Sequence, residues 1–138
     1  MENRVLIIDD EREVLDVMSE MLGTMGFKVT TLTQGSQALE LMKKAKYDLV
    51  ITDLIMPEMG GLDFVKKLRR SVKDIPVIII AGVDLENSKI NFKKYGIDDF
   101  IRKPFFIEEI EQKLLKYLDW SHPERPVRQP STAVTVGH

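Results

Sequence analysis

Cysteine is absent from all 138 residues. That excludes disulfides, cysteine-based zinc sites and catalytic thiols, and it agrees with a reducing cytoplasm. Histidine occurs at His122 and His138, without metal-ligand spacing. Apolar runs stay far below the roughly 20 residues of a membrane helix. The start, MENRVLII, passes from a few polar residues into a short apolar run and then charge. It reads as the beginning of a folded domain rather than a signal peptide. An excess of one charge is missing too, with 20 Lys and Arg against 22 Asp and Glu. A net charge of −2 supplies no basic field to gather nucleic acid. The basic groups (Lys43, Lys44, Lys46; Lys66, Lys67, Arg69, Arg70; Lys93, Lys94) are spread over three expected helices among acids, and read as solvated faces. What is present is ordinary, 43% hydrophobic and 30% charged residues, enough for one domain with a real core.

Short apolar runs alternate with helical stripes along the chain. Arg4 to Ile8 is β-branched and continuously apolar, the signature of a buried strand. Val14, Val17, Met18, Met21, Leu22 and Met25 recur at helical spacing, before Gly26 as a stop. The methionines among them read as core packing. Lys28 to Thr33 has strand composition. Gly35-Ser36 starts a second helix, with Ala38, Leu41, Met42 and Ala45 as its stripe. Leu49-Val50-Ile51 opens a third strand, which Pro57 bars from continuing. A third helix is expected from Leu62 to Val72, with Leu62, Val65 and Leu68 inward and Lys66, Lys67, Arg69 and Arg70 outward. Pro76 to Ala81 is a fourth strand and Asp84 to Tyr95 a weaker helix stopped by Gly96. Asp99 to Arg102 is a last strand, and Ile107 to Leu118 a last helix with Ile107, Ile110, Leu114 and Leu118 on one side. Five strand–helix repeats predict a parallel sheet covered on both faces, with right-handed crossovers. The domain is expected to span residues 1–119. Residues 120–138, with three prolines and little periodicity, read as a flexible tail or linker. Trp120 either closes the last helix or docks a partner.

Chemistry collects where the strands end. Asp9-Asp10 follow the first strand, Asp53 ends the third, Ala81-Gly82 ends the fourth and Lys103-Pro104 follows the fifth. In an open α/β sheet that edge carries the ligand crevice. Taken singly, Asp53 reads equally well as a turn residue, and Asp9, Asp10 and Glu11 as acids favoured at a helix start. Together, three carboxylates sharing a crevice repel unless something neutralises them. With no cysteine or nearby histidine, oxygen ligation points to a hard divalent ion, and Mg²⁺ fits best. An Asp beside Mg²⁺ and a lysine can accept a phosphoryl group as a nucleophile.

At this point the sequence resembles the receiver domain of bacterial two-component response regulators. The resemblance covers about residues 4–118. It rests on Asp9-Asp10 after VLII, on Asp53-Leu54-Ile55-Met56-Pro57 with Gly60-Gly61, and on Lys103-Pro104-Phe105, in that order. It implies a flavodoxin-like sheet of order 2-1-3-4-5 in a single domain. It implies phosphorylation of Asp53 by a histidine kinase or phosphotransfer protein, with Lys103 meeting a phosphoryl oxygen. Mg²⁺ would be held by Asp10, Asp53 and the Ile55 carbonyl, with Asp9 acting partly through water. A cis bond at Lys103-Pro104 is implied as well. Output to an effector or partner would pass through the fourth helix, fifth strand and fifth helix, from Asp84 to Leu118. The domain itself would touch neither nucleic acid nor membrane, and both monomers and homodimers fit the pattern.

One position departs from that family. A Thr or Ser usually ends the fourth strand and bonds the phosphoryl group; here Ala81 stands there, followed by Gly82. The aromatic partner position on the fifth strand is Phe100. The expectation is that phosphorylation survives while coupling to the output face weakens, with backbone N–H groups of Gly82 or Val83 as substitutes. Two rivals remain. One is a receiver-like interaction module that works without phosphate. The other is a haloacid-dehalogenase-like phosphatase, disfavoured because Glu11 stands where that family wants a second Asp.

Overall fold

The computed structural model describes residues 3–82 and 91–118. Five strands form one parallel sheet: β1 (Arg4–Ile8), β2 (Lys28–Leu32), β3 (Leu49–Asp53), β4 (Val77–Ala81) and β5 (Asp99–Arg102). Their order is β2-β1-β3-β4-β5, which puts β3 in the centre. The connecting helices are α1 (Arg12–Thr24), α2 (Gly35–Met42), α3 (Gly61–Leu68), α4 (Phe92–Tyr95) and α5 (Ile107–Tyr117). This is the expected doubly wound, flavodoxin-like arrangement.

Every residue of β3 and β4 is buried, because helices cover both faces. Alternate residues serve opposite faces. Val5, Ile7, Leu49, Ile51, Ile78 and Ile80 join one core with Val14, Met18 and Leu22 of α1 and Ile110 and Leu114 of α5. Leu6, Ile8, Val50, Val77, Ile79 and Ala81 join the other with Ala38 of α2 and Phe64, Val65 and Leu68 of α3. The register aligns Asp53 with Ile80 and Ala81 with Arg102, so the strand ends meet at one edge.

Helix ends account for most departures from the sequence reading. α1 and α4 stop before Gly26 and Gly96, both with left-handed φ. α2 ends at Met42 although the stripe ran to Ala45. The coil loosens there rather than stopping short, since the Lys44 and Ala45 N–H groups both still donate to Leu41 O at 3.0 Å in a closing turn. α3 ends at Leu68 rather than Val72. Its largest buried residue is Phe64, at the same i, i+3, i+4, i+7 spacing as Gly61, Val65 and Leu68, while Leu62 is only partly buried. Arg69, expected to face solvent, turns inward. Its guanidinium donates to Gly96 O at 2.6 and 3.0 Å, to Lys73 O at 3.1 Å and to Asp98 Oδ2 at 3.3 Å. It therefore ties the end of α3 to the start of β5. Lys66, Lys67 and Arg70 are exposed, as expected. The expected fourth-helix residues 84–90 lie outside the described residues, as do Val83, Trp120, His122, His138 and the rest of the 120–138 tail.

Candidate functional site

β1, β3 and β5 deliver their polar residues to one pocket. Asp9 follows β1, and its N–H continues the ladder by donating to Leu32 O at 3.1 Å. Asp53 is the last residue of the central strand β3. The chain leaves it through a loop over residues 54–61, which the Gly61 N–H closes by donating to Leu54 O at 2.8 Å. Lys103 follows β5, its N–H donating to Ala81 O at 2.8 Å, and its bond to Pro104 is cis. Asp9, Asp53 and Lys103 are buried, whereas Asp10 is exposed and Glu11 lies between.

The Lys103 ammonium sits 3.1 Å from Asp9 Oδ2, 3.5 Å from Glu11 Oε1 and 3.8 Å from Asp53 Oδ2. The Glu11 N–H donates to Asp9 Oδ1 at 2.9 Å. Carboxylate oxygens of Asp9, Asp10, Glu11 and Asp53 all lie within 4.8 Å of one another. One ammonium cannot neutralise four acids. Burial, then the charges of Asp9 and Asp10, push the Asp53 carboxyl up to about 6 despite Lys103. Burial also raises Asp9, against the pull of the Glu11 N–H and Lys103. Burial works against the charge on Lys103, yet Asp53, Asp9 and Glu11 outweigh it and hold the ammonium above the usual lysine range. A crowded, all-oxygen, under-neutralised donor set fits a hard divalent cation.

The remaining sequence-predicted residues surround this pocket. Ala81 is buried at the end of β4, with its methyl in the core on the α2 and α3 side, and Gly82 beside it is exposed. Ile55, on the loop that follows β3, is 68% exposed. Phe100 on β5 is half-buried and stacks on Phe92 of α4 with ring centroids 5.6 Å apart. The sequence reading did not couple these two rings, because they stand eight positions apart on different elements and no local period joins them. It also treated Glu11 as a helix-start acid, and no local pattern shows that its side chain reaches a lysine 92 positions later.

At the other end of β5, Asp99 binds α5. It accepts from Lys113 at 2.8 Å, Tyr117 Oη at 3.0 Å and Lys116 at 3.4 Å. Partial burial opposes its charge, but Lys113, the Phe100 N–H and Tyr117 together hold it below the ordinary carboxylate range. β5 and α5 are thereby fixed to each other. Among the described residues, no helix is long and apolar enough to cross a membrane.

Residues 5–115 match the model of the response regulator receiver domain. Response regulator SaeR of Staphylococcus aureus is 33% identical over 129 residues, which is 92% of this chain and 56% of SaeR. The chain thus spans about half the length of the curated relatives it matches. Chemotaxis response regulator CheY4 of Vibrio cholerae superposes with a TM-score of 0.80 at 30% identity, over 86% of this chain and 100% of CheY4. Response regulator TrrA of Thermotoga maritima, solved in complex with Mg²⁺ and beryllofluoride, gives 0.76 at 29% identity, over 84% of this chain and 99% of TrrA. The chain belongs to the family of response regulator receiver domains, signalling domains of two-component systems.

Proposed function

We propose that the chain accepts a phosphoryl group on Asp53 from the phosphohistidine of a histidine kinase or phosphotransfer protein. The observation that carries this reading is the burial of Asp53 and Lys103 side by side, among carboxylates whose oxygens lie within 4.8 Å. An Asp53 oxygen attacks phosphorus and the P–N bond breaks. Its electron pair returns to the imidazole of the donor, which takes up a proton. No general base is required, because Asp53 with a pKa of about 6 is largely ionised at neutral pH. Asp10, Asp53 and the Ile55 carbonyl would hold Mg²⁺, with Asp9 acting partly through water. The ion would neutralise the developing phosphoryl charge. Lys103, already within 3.8 Å of Asp53, would donate to a phosphoryl oxygen.

Incubation with acetyl phosphate followed by intact-mass measurement tests this directly. The expected result is one phosphate adduct per chain, present with Mg²⁺, lost on chelation, and absent from Asp53→Asn. A folded chain that takes no adduct from acetyl phosphate or from a phosphorylated kinase would instead support the phosphate-independent interaction module. Ala81 is the residue that keeps that second reading alive.

Ala81 carries the regulatory part of the proposal. Its methyl cannot donate a hydrogen bond to the phosphoryl group, and such a bond to a charged group is worth about 1.5–3 kcal/mol. The α4-β5-α5 surface is proposed to respond to phosphorylation about tenfold to a hundredfold less than it would with a hydroxyl at position 81. Ala81→Thr should enlarge the difference in amide hydrogen exchange over residues 92–118 between the free and phosphorylated chains. Identical differences in parent and variant would rule the idea out. An effector domain or partner protein contacting that surface, a cytoplasmic location, and self-dephosphorylation through water complete the reading. A homodimer is compatible with it.

A further inference from the structure

Lys103 is itself the counter-ion of the acidic pocket. Its side chain is 3% exposed, and a buried ammonium left without a carboxylate is strongly unfavourable. Of its three partners, Asp9 and Asp53 are also acids on which the proposed cation site draws. A divalent cation and an ammonium repel each other if they crowd the same two carboxylates. Glu11 differs from those two. Its side chain is 31% exposed, it lies at the rim just before α1, and its oxygen is 3.5 Å from the ammonium. Its backbone N–H is bonded to Asp9, which ties the rim acid to the inner one.

We infer that Glu11 is a positioning residue, which keeps hold of the Lys103 ammonium when a divalent cation draws on Asp53 directly and on Asp9 through water. Cation entry then strands no buried charge, and the lysine stays beside Asp53 rather than being driven from the pocket. This rests on the reading of Asp53 as a phosphoacceptor beside a metal. Two simpler roles compete with it. Glu11 could ligate the cation, since its oxygen lies with those of the other three acids, or it could act through its charge alone. Both would operate whether or not residue 103 is a lysine.

A double-mutant cycle separates these roles. Mg²⁺ is titrated calorimetrically into the full chain, into Glu11→Gln, into Lys103→Met and into the double variant. Glu11→Gln is expected to weaken Mg²⁺ binding about tenfold in the parent, the scale of one charge-assisted hydrogen bond, and less than about twofold beside Lys103→Met. Equal factors in both backgrounds, or no weakening in the parent, would overturn the inference. If Lys103→Met does not fold, the Lys103 ammonium NMR signal at saturating Mg²⁺ decides. Slow exchange with water in the parent and fast exchange in Glu11→Gln is expected, and slow exchange in both would overturn it. A parent chain that binds no Mg²⁺ would remove the metal reading and this inference together. A parent that binds normally but gives an additive cycle removes the role of Glu11 alone.

Discussion

Asp53→Asn is expected to make the metal-free chain more stable at neutral pH while abolishing its capacity to take a phosphoryl group. The carboxyl at position 53 has an ordinary pKa of 3.8 and is pushed to about 6 by burial and by Asp9. A raised folded-state pKa means that the folded chain holds this proton more tightly than the unfolded chain. Above pH 6 the native state therefore carries a penalty that Asn, similar in shape and uncharged, does not. The shift corresponds to about 3 kcal/mol at pH 7, before any relaxation of the pocket. A gain of about 2–3 kcal/mol, or roughly 10 °C in Tm, is the expected result in chelator. The gain should shrink as pH falls through 6 toward 4, because the parent protonates and sheds the same penalty. Millimolar Mg²⁺ should narrow it from the other side, by stabilising the parent through binding that the variant makes poorly. Thermal melts of both proteins across that pH range, with and without Mg²⁺, measure every part of this. A variant no more stable than the parent at pH 7 in chelator would mean that the Lys103 pairing outweighs the repulsion.

The same residues show what a sequence can and cannot reveal. β3 is legible because its residues are apolar without alternation, and Pro57 ends the ladder soon after Asp53. Those two local signals are enough to place an acid at the end of a buried strand. The meeting of Asp9, Asp53 and Lys103 is legible only through topology: parallel strands with helical crossovers bring all their C-terminal ends to one edge. The inward turn of Arg69 is not legible, since its acceptor, Gly96 O, lies 27 residues away and a terminal arginine on a helix normally reads as solvated. Phe64 could have been found. Its spacing with Gly61, Val65 and Leu68 is the better helical stripe, but indexing from Leu62 hid it. Glu11 has no local signature at all. Its functional position depends on where the fold carries Lys103, so only the packed arrangement of the side chains reveals it.

Gly61→Ala is expected to destabilise the chain by about 2–4 kcal/mol, lowering Tm by about 10 °C, and to slow adduct formation at Asp53. Helix propensity alone argues the reverse, since alanine is favoured over glycine in a helix by about 1 kcal/mol. Close approach decides the sign. A Cβ on Gly61 would overlap the carbonyl oxygen of Asp53 and lie 3.1 Å from Leu54 Cα and 3.2 Å from Asp53 C. Those atoms are backbone of the strand end and its turn, and no side-chain rotation relieves the contact. Either α3 retreats, lifting Phe64, Val65 and Leu68 from the core, or the end of β3 shifts and takes the Asp53 carboxylate with it. The first outcome appears in the melting temperature and the second in the rate of phosphorylation by acetyl phosphate. Gly60 is the internal control. A Cβ there meets Leu54 O at 3.4 Å, an ordinary contact, and its φ of −68° suits any residue. Gly60→Ala should stay within about 0.5 kcal/mol of the parent. Should Gly61→Ala match the parent in both stability and phosphorylation rate, α3 would not be seated against the Asp53 strand as described. The glycine pair would then owe its place to the turn alone.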